Sequence, residues 1–227
     1  MLEQFGPSLY VAEGPIVSFF GFPYPTRMAV ARLADANVWV WSPVALTPEL
    51  ADAVNAIGPV RHIVSPNKLH HLFLHEWVEH WPDARLYAPP GLARKKPGLH
   101  FQAELGDEPI PAWKADIDQA VFRGSFVMEE VMFFHRASRT AIVGDLIQRF
   151  PENDVSGWKR LLLKFGGLLG EGGGTPIDWR TSFLRHGPAR AARQKVLGWN
   201  PERLLIAHGM CAQTGASEII KAALRWM

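Results

Sequence analysis

The chain has 227 residues with 24 basic and 22 acidic side chains, and 48% of its residues are hydrophobic. This composition supplies a folded core and excludes an intrinsically disordered chain. The basic residues are scattered apart from the run Arg94-Lys95-Lys96, for which a solvated loop is the favoured interpretation. The charge pattern therefore gives no argument for nucleic-acid binding.

The cysteine content and the first residues predict a cytoplasmic location. A single cysteine, Cys211, excludes an internal disulfide and fits a reducing compartment. The first residues have neither the basic nor the apolar region of a signal peptide. No apolar run approaches the roughly 18 residues that span a bilayer, so we expect no membrane partner.

The first 45 residues alternate in the manner of β-strands. Short β-branched or aromatic runs occur at residues 8–12, 16–22, 28–33 and 37–42. Gly14-Pro15 and the glycine- and proline-containing cluster at residues 21–25 separate the first three runs. The turn-forming residues 34–36 predict a hairpin between the last two runs.

From residue 47 the pattern alternates between helix and strand. Thr47 is the predicted N-cap of a helix that opens with Pro48 and stops at Gly58-Pro59. A strand at residues 61–64, a helix from about residue 69 to residue 81 and a strand at residues 85–87 follow. This order predicts a layered α/β arrangement.

A second block of strands is predicted at residues 117–121, 127–134 and 140–143. Helices are predicted at residues 155–169, 188–197 and 216–226, with a strand at residues 203–207. The glycine-rich residues 166–174 lack the Gly-Lys-Ser/Thr ending of a Walker loop and are interpreted as a mobile surface loop. The two strand-rich blocks, each followed by helices, are expected to form two halves of one sandwich.

Polar residues that bind metals follow three of the predicted strands. His70 and His71 come after the break Ser65-Pro66-Asn67, Asp145 follows an apolar strand and Gly144, and His208 follows another apolar strand. Strand ends are where ligand groups collect in α/β layers, and imidazole with carboxylate suits zinc, iron or manganese. Taken singly, these residues also fit ordinary roles, as one buried and one exposed histidine or as a turn aspartate.

These segments resemble the metallo-β-lactamase fold family, in which a strand is followed by HxHxDH, a later strand by Gly-Asp and a last strand by His. Residues 65–71, 134–146 and 206–209 are similar to those three segments. More narrowly, the stretches NKLHH and FFHRASRT resemble the DUF4336 branch. The resemblance implies an α/β (α+β) fold, a four-layer αββα sandwich, in a single domain over residues 1–227.

The departures from HxHxDH imply a reduced metal site. Pro66 and Lys68 stand where the first two histidines are expected, and the histidine before Gly-Asp would fall near Phe126. The resemblance therefore implies one ion, zinc in the first place with iron or manganese as alternatives. The ligands that it implies are His70, His71, Asp145 and His208. Asp145 is also expected to orient the attacking water.

Three further residues are weaker candidates for the site. His135 lies on the strand before the turn that leads to Asp145, and is otherwise a strand residue. Asn67 is either a hydrogen-bonding group of the site or a simple helix cap. Glu130 lies with Glu129 where the missing histidine would be sought, although a solvated pair of charges is the favoured interpretation.

Three hypotheses for function follow from this pattern. The first is a metal-dependent hydrolase that acts on a small-molecule ester, amide, thioester or phosphoester, or an oxidoreductase if the ion is iron. The second is a catalytically degenerate binding protein with a structural or absent metal. The third is an unrelated α/β domain with histidines in ordinary positions, which predicts that His71, Asp145 and His208 lie far apart. The oligomeric state stays open.

Overall fold

Two β-sheets with helices on their outer faces form the computed structural model, which describes residues 1–19, 22–151, 166–170 and 172–227. Among these residues one sheet has seven strands in chain order, namely β1 Leu2–Gly6, β2 Leu9–Phe19, β3 Phe22–Arg32, β4 Val38–Trp41, β5 Val60–Val64, β6 Arg85–Ala88 and β7 Ala103–Glu104. The other has the order β11-β10-β9-β8, with β8 Ile117–Phe122, β9 Glu130–His135, β10 Thr140–Val143 and β11 Arg203–Ile206.

Six helices are present in the described residues. They are α1 Pro48–Asn55, α2 Leu74–His80, α3 Leu92–Lys95, α4 Ile177–Thr181, α5 His186–Gly198 and α6 Ala216–Ala223. The predicted cap of α1 is confirmed, because Thr47 Oγ1 accepts the Leu50 N–H at 3.3 Å and Pro48 stands at the first position. Within the described residues, no helix combines the length and the apolar character that crossing a bilayer requires.

Alternation along the strands builds four layers. On β4, Val38 and Val40 pack against the outer helices α1 and α2, whereas Trp39 and Trp41 pack between the sheets. On β10, Ala141 and Val143 pack on the side of α5 and α6, with Ile142 between the sheets. The order helix, sheet, sheet, helix confirms the αββα sandwich.

Parallel pairing brings the ends of several strands to one edge of the sandwich. Strand β4 runs parallel to β5 in the first sheet, and β10 runs parallel to β11 in the second. The segment after β5 crosses to the second sheet, where Asn67 forms an antiparallel bridge with Glu130 and Val131 N donates to Pro66 O at 2.9 Å. The loops after β4, β5, β10 and β11 therefore meet at this edge.

Several predicted boundaries differ from the structure. The predicted hairpin is confirmed as β3 paired antiparallel with β4. Gly14-Pro15 does not end a strand, because β2 continues through it with a shift of register between Glu13 and Ile16. The helix predicted from residue 69 begins only at Leu74, since residues 70–73 form turns.

Two predictions fall on residues that the structure does not describe fully. The helix predicted at residues 155–169 lies mostly outside the described residues, which resume at residue 166. The glycine-rich segment 166–174 is described except for residue 171. In its described part, Phe150 pairs with Leu169 and Gln148 with Gly174, so both sides of the segment join the residues that follow Asp145.

Candidate metal centre

Three chain-distant side chains converge at the shared edge of the two sheets. One ligand atom from each of His70, Asp145 and His208 lies within 4.8 Å of the others. His70 Nε2 is 3.2 Å from Asp145 Oδ2, and His208 Nε2 is 3.1 Å from Asp145 Oδ1. Their side chains are 9%, 10% and 8% exposed respectively. The cluster is therefore nearly buried but keeps a small opening to solvent.

The segment after β5 is shaped by local hydrogen bonds that turn His70 inward. Ser65 Oγ lies 2.8 Å from the carbonyl oxygens of both Asn67 and His70. Asn67 Oδ1 accepts the N–H of Leu69 at 2.8 Å, which is an Asx turn. Asn67 and Ser65 are fully buried, so these bonds exchange little with water. The loop is thereby fixed before α2 begins.

Each histidine has a partner on its second ring nitrogen. Ser42 Oγ lies 2.5 Å from His70 Nδ1, and His208 Nδ1 donates to Pro25 O at 2.7 Å. Ser42 holds a positive φ of 51° at the end of β4, a conformation that costs free energy for a residue with a Cβ. A hydroxyl both donates and accepts, so Ser42 suits either tautomer of His70.

His208 lies between two acceptors, the carbonyl oxygen of Pro25 and the carboxylate of Asp145. Pro25 O and Asp145 Oδ1 are both acceptors, at 2.7 and 3.1 Å from the two ring nitrogens of His208, and this arrangement favours the doubly protonated ring. Burial would lower the pKa of His208, but the bond to Asp145 and its charge raise it overall. Burial would likewise raise the pKa of Asp145, yet His70 and His208 hold it well below its ordinary value.

Behind Asp145, Glu130 and Asn67 form a buried network. The Glu130 carboxylate accepts the N–H groups of Gly144, Asp145 and Leu146 at 3.0, 2.7 and 3.2 Å. Asn67 Nδ2 donates to Glu130 Oε2 at 2.6 Å and to Asp145 Oδ2 at 2.8 Å. Burial and the Asp145 charge raise the pKa of Glu130 to about 8, against which these N–H donors act.

Glu130 and Asn67 thus fix the position of Asp145 rather than lying on the surface. The predicted solvated pair of charges is wrong for Glu130, which is 0% exposed because β9 begins at the bridge to Asn67. For Asn67, the side chain is both the turn-forming group that the sequence suggested and a direct hydrogen-bond partner of Asp145.

The structure does not bring His71 or His135 into the cluster. His71 faces a separate depression beside Lys96, because adjacent residues of the loop point in different directions. Burial and then the charges of Lys95 and Lys96 lower the pKa of His71 to about 4. His135 lies at the opposite end of β9, where its Nδ1 is 2.7 Å from Ser138 Oγ.

The positions that depart from HxHxDH offer no ligand atom to the cluster. Lys68 Nζ lies 3.2 Å from the point where a Cβ of Gly91 would stand, which places it over a different loop. Phe126 is 71% exposed, and its N–H donates to Ser182 O. Among the described residues, the cluster of His70, Asp145 and His208 is the one group that could hold an ion.

Two partners of the cluster were missed from the sequence, namely Ser42 and the carbonyl of Pro25. They lie 28 and 183 residues from the histidines that they contact. The signal available for Ser42 was its position directly after the apolar strand β4, which parallels the positions of Asp145 and His208 after their strands. A backbone carbonyl such as that of Pro25 leaves no signal in residue identity.

The donor set and spacing fit a zinc ion. Bonds of about 2 Å in a tetrahedral site place two ligand atoms roughly 3.3 Å apart. His70 Nε2 is 3.2 Å from Asp145 Oδ2 and His208 Nε2 is 3.1 Å from Asp145 Oδ1, and one ligand atom from each residue lies within 4.8 Å of the other two, a spacing that an ion could draw in. The bond from His208 Nδ1 to a carbonyl leaves Nε2 as the ligand atom, which is the usual arrangement of a metal-binding histidine.

Comparisons with known proteins agree with this geometry. The family model described as "Domain of unknown function (DUF4336)" matches residues 17–159. DIM-1 metallo-β-lactamase exposed to ceftazidime superposes with a TM-score of 0.66 and 13% identity, covering 99% of this chain and 96% of its own. No curated protein matches the chain in sequence.

Two further solved structures show the same fold. The metallo-β-lactamase from Pontibacter korlensis has a TM-score of 0.64 at 10% identity, over 100% of this chain and 97% of its own. The metallo-β-lactamase FIM-1 from Pseudomonas aeruginosa, in the mono-zinc form, has a TM-score of 0.65 at 10% identity, over 100% of this chain and 93% of its own. Identities this low establish the fold alone.

Proposed function

The chain belongs to the DUF4336 family, and we propose that it is a metal-dependent hydrolase with one ion held by His70, Asp145 and His208. The observation that carries this proposal is the convergence of these three ligand atoms within 4.8 Å. Zinc is the ion that the donor set suits best, and iron or manganese are alternatives. A protein of the same fold in a mono-zinc form supports a single ion.

Each residue of the cluster would have its own role in the proposed metal site. His70 and His208 would hold the ion through Nε2, and His208 Nε2 gives up its proton when it coordinates. Asp145 supplies the negative charge and is held in place by Asn67 and Glu130. A bound zinc ion supplies Lewis-acid activation of water and of a carbonyl or phosphoryl oxygen. The substrate class is an ester, amide, thioester or phosphoester in a small molecule.

Asp145 also has the geometry to orient a water molecule. Its Oδ2 already accepts from Asn67 and lies against His70, whereas its Oδ1 has one contact, with His208 Nε2 at 3.1 Å, among the described residues. A carboxylate oxygen has room for a second hydrogen bond, so Oδ1 is the atom that we assign to the attacking water. Three protein ligands also leave one tetrahedral position open, as catalytic zinc sites do.

The second candidate function is a binding protein in which the ion is structural or absent. The observation in its favour is the low exposure of the cluster, 8–10% for each side chain, which leaves little room for a substrate. A structural zinc site has four protein ligands, and the described residues offer three. The ligand count therefore favours the hydrolase.

Metal content of untagged protein purified without added metal tests the proposal. We expect about one equivalent of zinc in the wild type and in His71→Ala, and less than a tenth of that in His208→Ala and Asp145→Ala. His71→Ala is the matched control, since it removes the histidine adjacent to His70 in the chain. Equal metal in all four proteins would defeat the assignment of the ligands.

Activity then separates the two candidate functions. Zinc-loaded wild type is assayed on a panel of p-nitrophenyl acetate, phosphate and phosphodiester together with thioester substrates. Turnover that disappears in His208→Ala and survives in His71→Ala supports the hydrolase. One equivalent of zinc with no turnover on any substrate, and no exchange of zinc for cobalt, identifies a structural ion instead.

A further inference from the structure

A cluster of cationic side chains covers the outward face of the loop that carries Asn67 and His70. Its members, which we call the basic patch, are Lys68, Arg94, Lys95 and Lys96. Lys95 Nζ donates to the carbonyl of Lys68 at 2.9 Å, so α3 is joined directly to the loop of the metal cluster. Asn67 and His70 turn inward from this loop, whereas Lys68 and His71 turn outward.

The lack of a side chain at Gly91 leaves space for the side chains of Lys68 and Arg94 to lie near each other. A Cβ on Gly91, which has a φ of 78°, would lie 2.8 Å from Lys68 Cε, 3.2 Å from Lys68 Nζ and 3.7 Å from Arg94 Nη2. Two cationic groups therefore converge on the space that a side chain here would fill. The N–H of Gly91 is taken by Glu104 Oε2 at 3.0 Å, which fixes the turn.

The carboxylate of Glu104 lies beside the basic patch, at the Gly91 N–H, but within the described part of the chain no carboxylate pairs directly with its charges. None of its four members forms an ion pair there, whereas basic residues elsewhere do, for example Arg27, Arg61, Arg123 and Arg136. Burial first, and then the charges of Lys96 and Lys68, lower the pKa of Lys95. Cations held together against their own repulsion favour an anion between them.

A depression lies between the basic patch and α2, on the outward side of the same loop. It has a volume of about 290 Å³, and its lining consists of His71, Leu72, His75, Lys96, Gly98 and Leu99. Its polar groups are the imidazoles of His71 and His75 and the ammonium group of Lys96; His75 Nδ1 lies 3.3 Å from the Glu79 carboxylate, which leaves its Nε2 as the donor. His71 follows His70 directly, so the depression and the metal cluster share one loop.

We propose that the basic patch and the adjoining depression bind a phosphate group, at a site separate from the metal cluster. A compact dianion matches a compact group of cations, and lysine, arginine and histidine are all phosphate donors. An extended polyanion is a poorer match, because the patch consists of Lys68 and residues 94–96 alone and the other basic residues are scattered along the chain. The loop part of the solvated-loop interpretation of Arg94-Lys95-Lys96 is wrong for Arg94 and Lys95, which lie on α3, whereas their exposure to solvent is confirmed.

Titration calorimetry of the full chain with inorganic phosphate at low ionic strength tests this site. We expect saturable binding in the wild type and affinity reduced at least about fivefold in Lys96→Met and in Arg94→Met, as for one screened charge at contact distance. Arg94 is exposed and Lys96 is half-buried, and neither belongs to the hydrophobic core, so neither variant removes a core contact. Lys114→Met, which removes an exposed lysine outside the patch, is the matched control and keeps the wild-type affinity.

Acetate and a metal-site variant distinguish the competing explanations. Acetate should bind at least about fivefold more weakly than phosphate, because it carries one charge less; equal binding would assign the site to carboxylates and contradict the phosphate assignment. Phosphate binding that persists in His208→Ala supports a site separate from the ion. Binding that is lost in His208→Ala and unchanged in Lys96→Met, or no saturable binding in the wild type, overturns the inference and leaves the metal-centre proposal standing.

Discussion

The two ends of the four-stranded sheet each bury a histidine among polar groups, but they bury it differently. One end carries the cluster of His70, Asp145 and His208, and we call it the metal end after the proposed site. There His208 contacts the Asp145 carboxylate, and the pKa of His208 is raised. At the far end, His135 contacts the hydroxyl of Ser138, which in turn lies 2.7 Å from Thr140 Oγ1, and burial lowers the pKa of His135 to about 4. We call His135, Ser138 and Thr140 the far-end cluster.

The difference between the ends shows what makes a buried histidine available to a metal. The far-end cluster satisfies its own hydrogen bonds with neutral groups, so it needs no cation and His135 stays neutral. The metal end places one carboxylate between two imidazoles, an arrangement that needs a proton or an ion. Burial alone therefore does not mark the site; a carboxylate shared by histidines does.

The largest effect is expected from Glu130→Ala, on stability. Three backbone N–H groups and the Asn67 amide lose a fully buried acceptor, which costs about 3–5 kcal/mol of the free energy of unfolding. Urea denaturation of the metal-free protein measures it. Glu129→Ala is the matched control, with an expected change within about 0.5 kcal/mol. Equal midpoints for the two variants would contradict the network at the metal end.

Next in size is the effect of Asp145→Asn on zinc affinity. The amide keeps the shape of the side chain but removes the charge between His70 and His208, so we expect at least about a hundredfold loss, or about 2.7 kcal/mol. Competition with a chromogenic chelator measures the dissociation constant. His135→Gln changes the far-end cluster and should leave zinc affinity unchanged within about twofold. Comparable losses in both variants would erase the distinction between the two ends.

The pH dependence of the free energy of unfolding tests whether the far-end cluster keeps His135 neutral. His135 has a folded pKa of about 4 against about 6.5 in the unfolded chain, so the unfolded chain binds the proton first as the pH falls. The contribution of His135 to the free energy of unfolding is complete above about pH 6.5. As the pH falls, this contribution is lost, and the loss is about 2 kcal/mol between pH 7 and pH 5.

The measurement is the free energy of unfolding at pH 7 and at pH 5 in the wild type and in His135→Gln. Contributions from other histidines are common to both proteins and cancel in the difference. The variant should lose about 2 kcal/mol less than the wild type between these two values. Parallel curves would mean that His135 titrates alike in the folded and unfolded chains, and hence that burial at the far end does not keep its ring neutral.

The sequence predicted the three residues of the cluster, two of which stand where apolar strands end. Asp145 and His208 each follow a short β-branched or leucine-rich run, and a parallel pair of strands necessarily brings their ends together. His71 shows the limit of this reasoning. Periodicity locates the loop but does not say which of two adjacent histidines turns inward, because residues 70–73 are turns with no helical period.

Contacts between the sheets account for what the sequence did not predict. The sequence predicts that Glu130 is one of two adjacent surface charges. In the structure, the bridge to Asn67 brings the loop after β5 over Glu130. The same holds for Ser42, whose hydroxyl meets His70 across a separation of 28 residues. Local patterns carry no information on such pairs, since burial of a polar side chain depends on which distant donors reach it.

The smallest effect concerns Ser42, which contacts His70 at the metal end as Ser138 contacts His135 at the far end. Removing the hydroxyl leaves the second ring nitrogen of His70 without its partner, so Ser42→Ala should weaken zinc binding about tenfold. Ser138→Ala, the matched change at the far end, should leave zinc affinity unchanged.

Ser42→Gly separates the hydroxyl from the backbone, because both substitutions remove the hydrogen bond but glycine alone tolerates a φ of 51° without strain. We therefore expect the same tenfold loss of zinc affinity in both variants, with Ser42→Gly more stable than Ser42→Ala by about 1 kcal/mol. If glycine kept the wild-type affinity, the backbone conformation rather than the hydroxyl would be what positions His70. In that case the position of His70 would depend on the strained backbone of Ser42. Ser138, which contacts His135 in the far-end cluster, does not have a positive φ, so the two ends would differ in this respect as well.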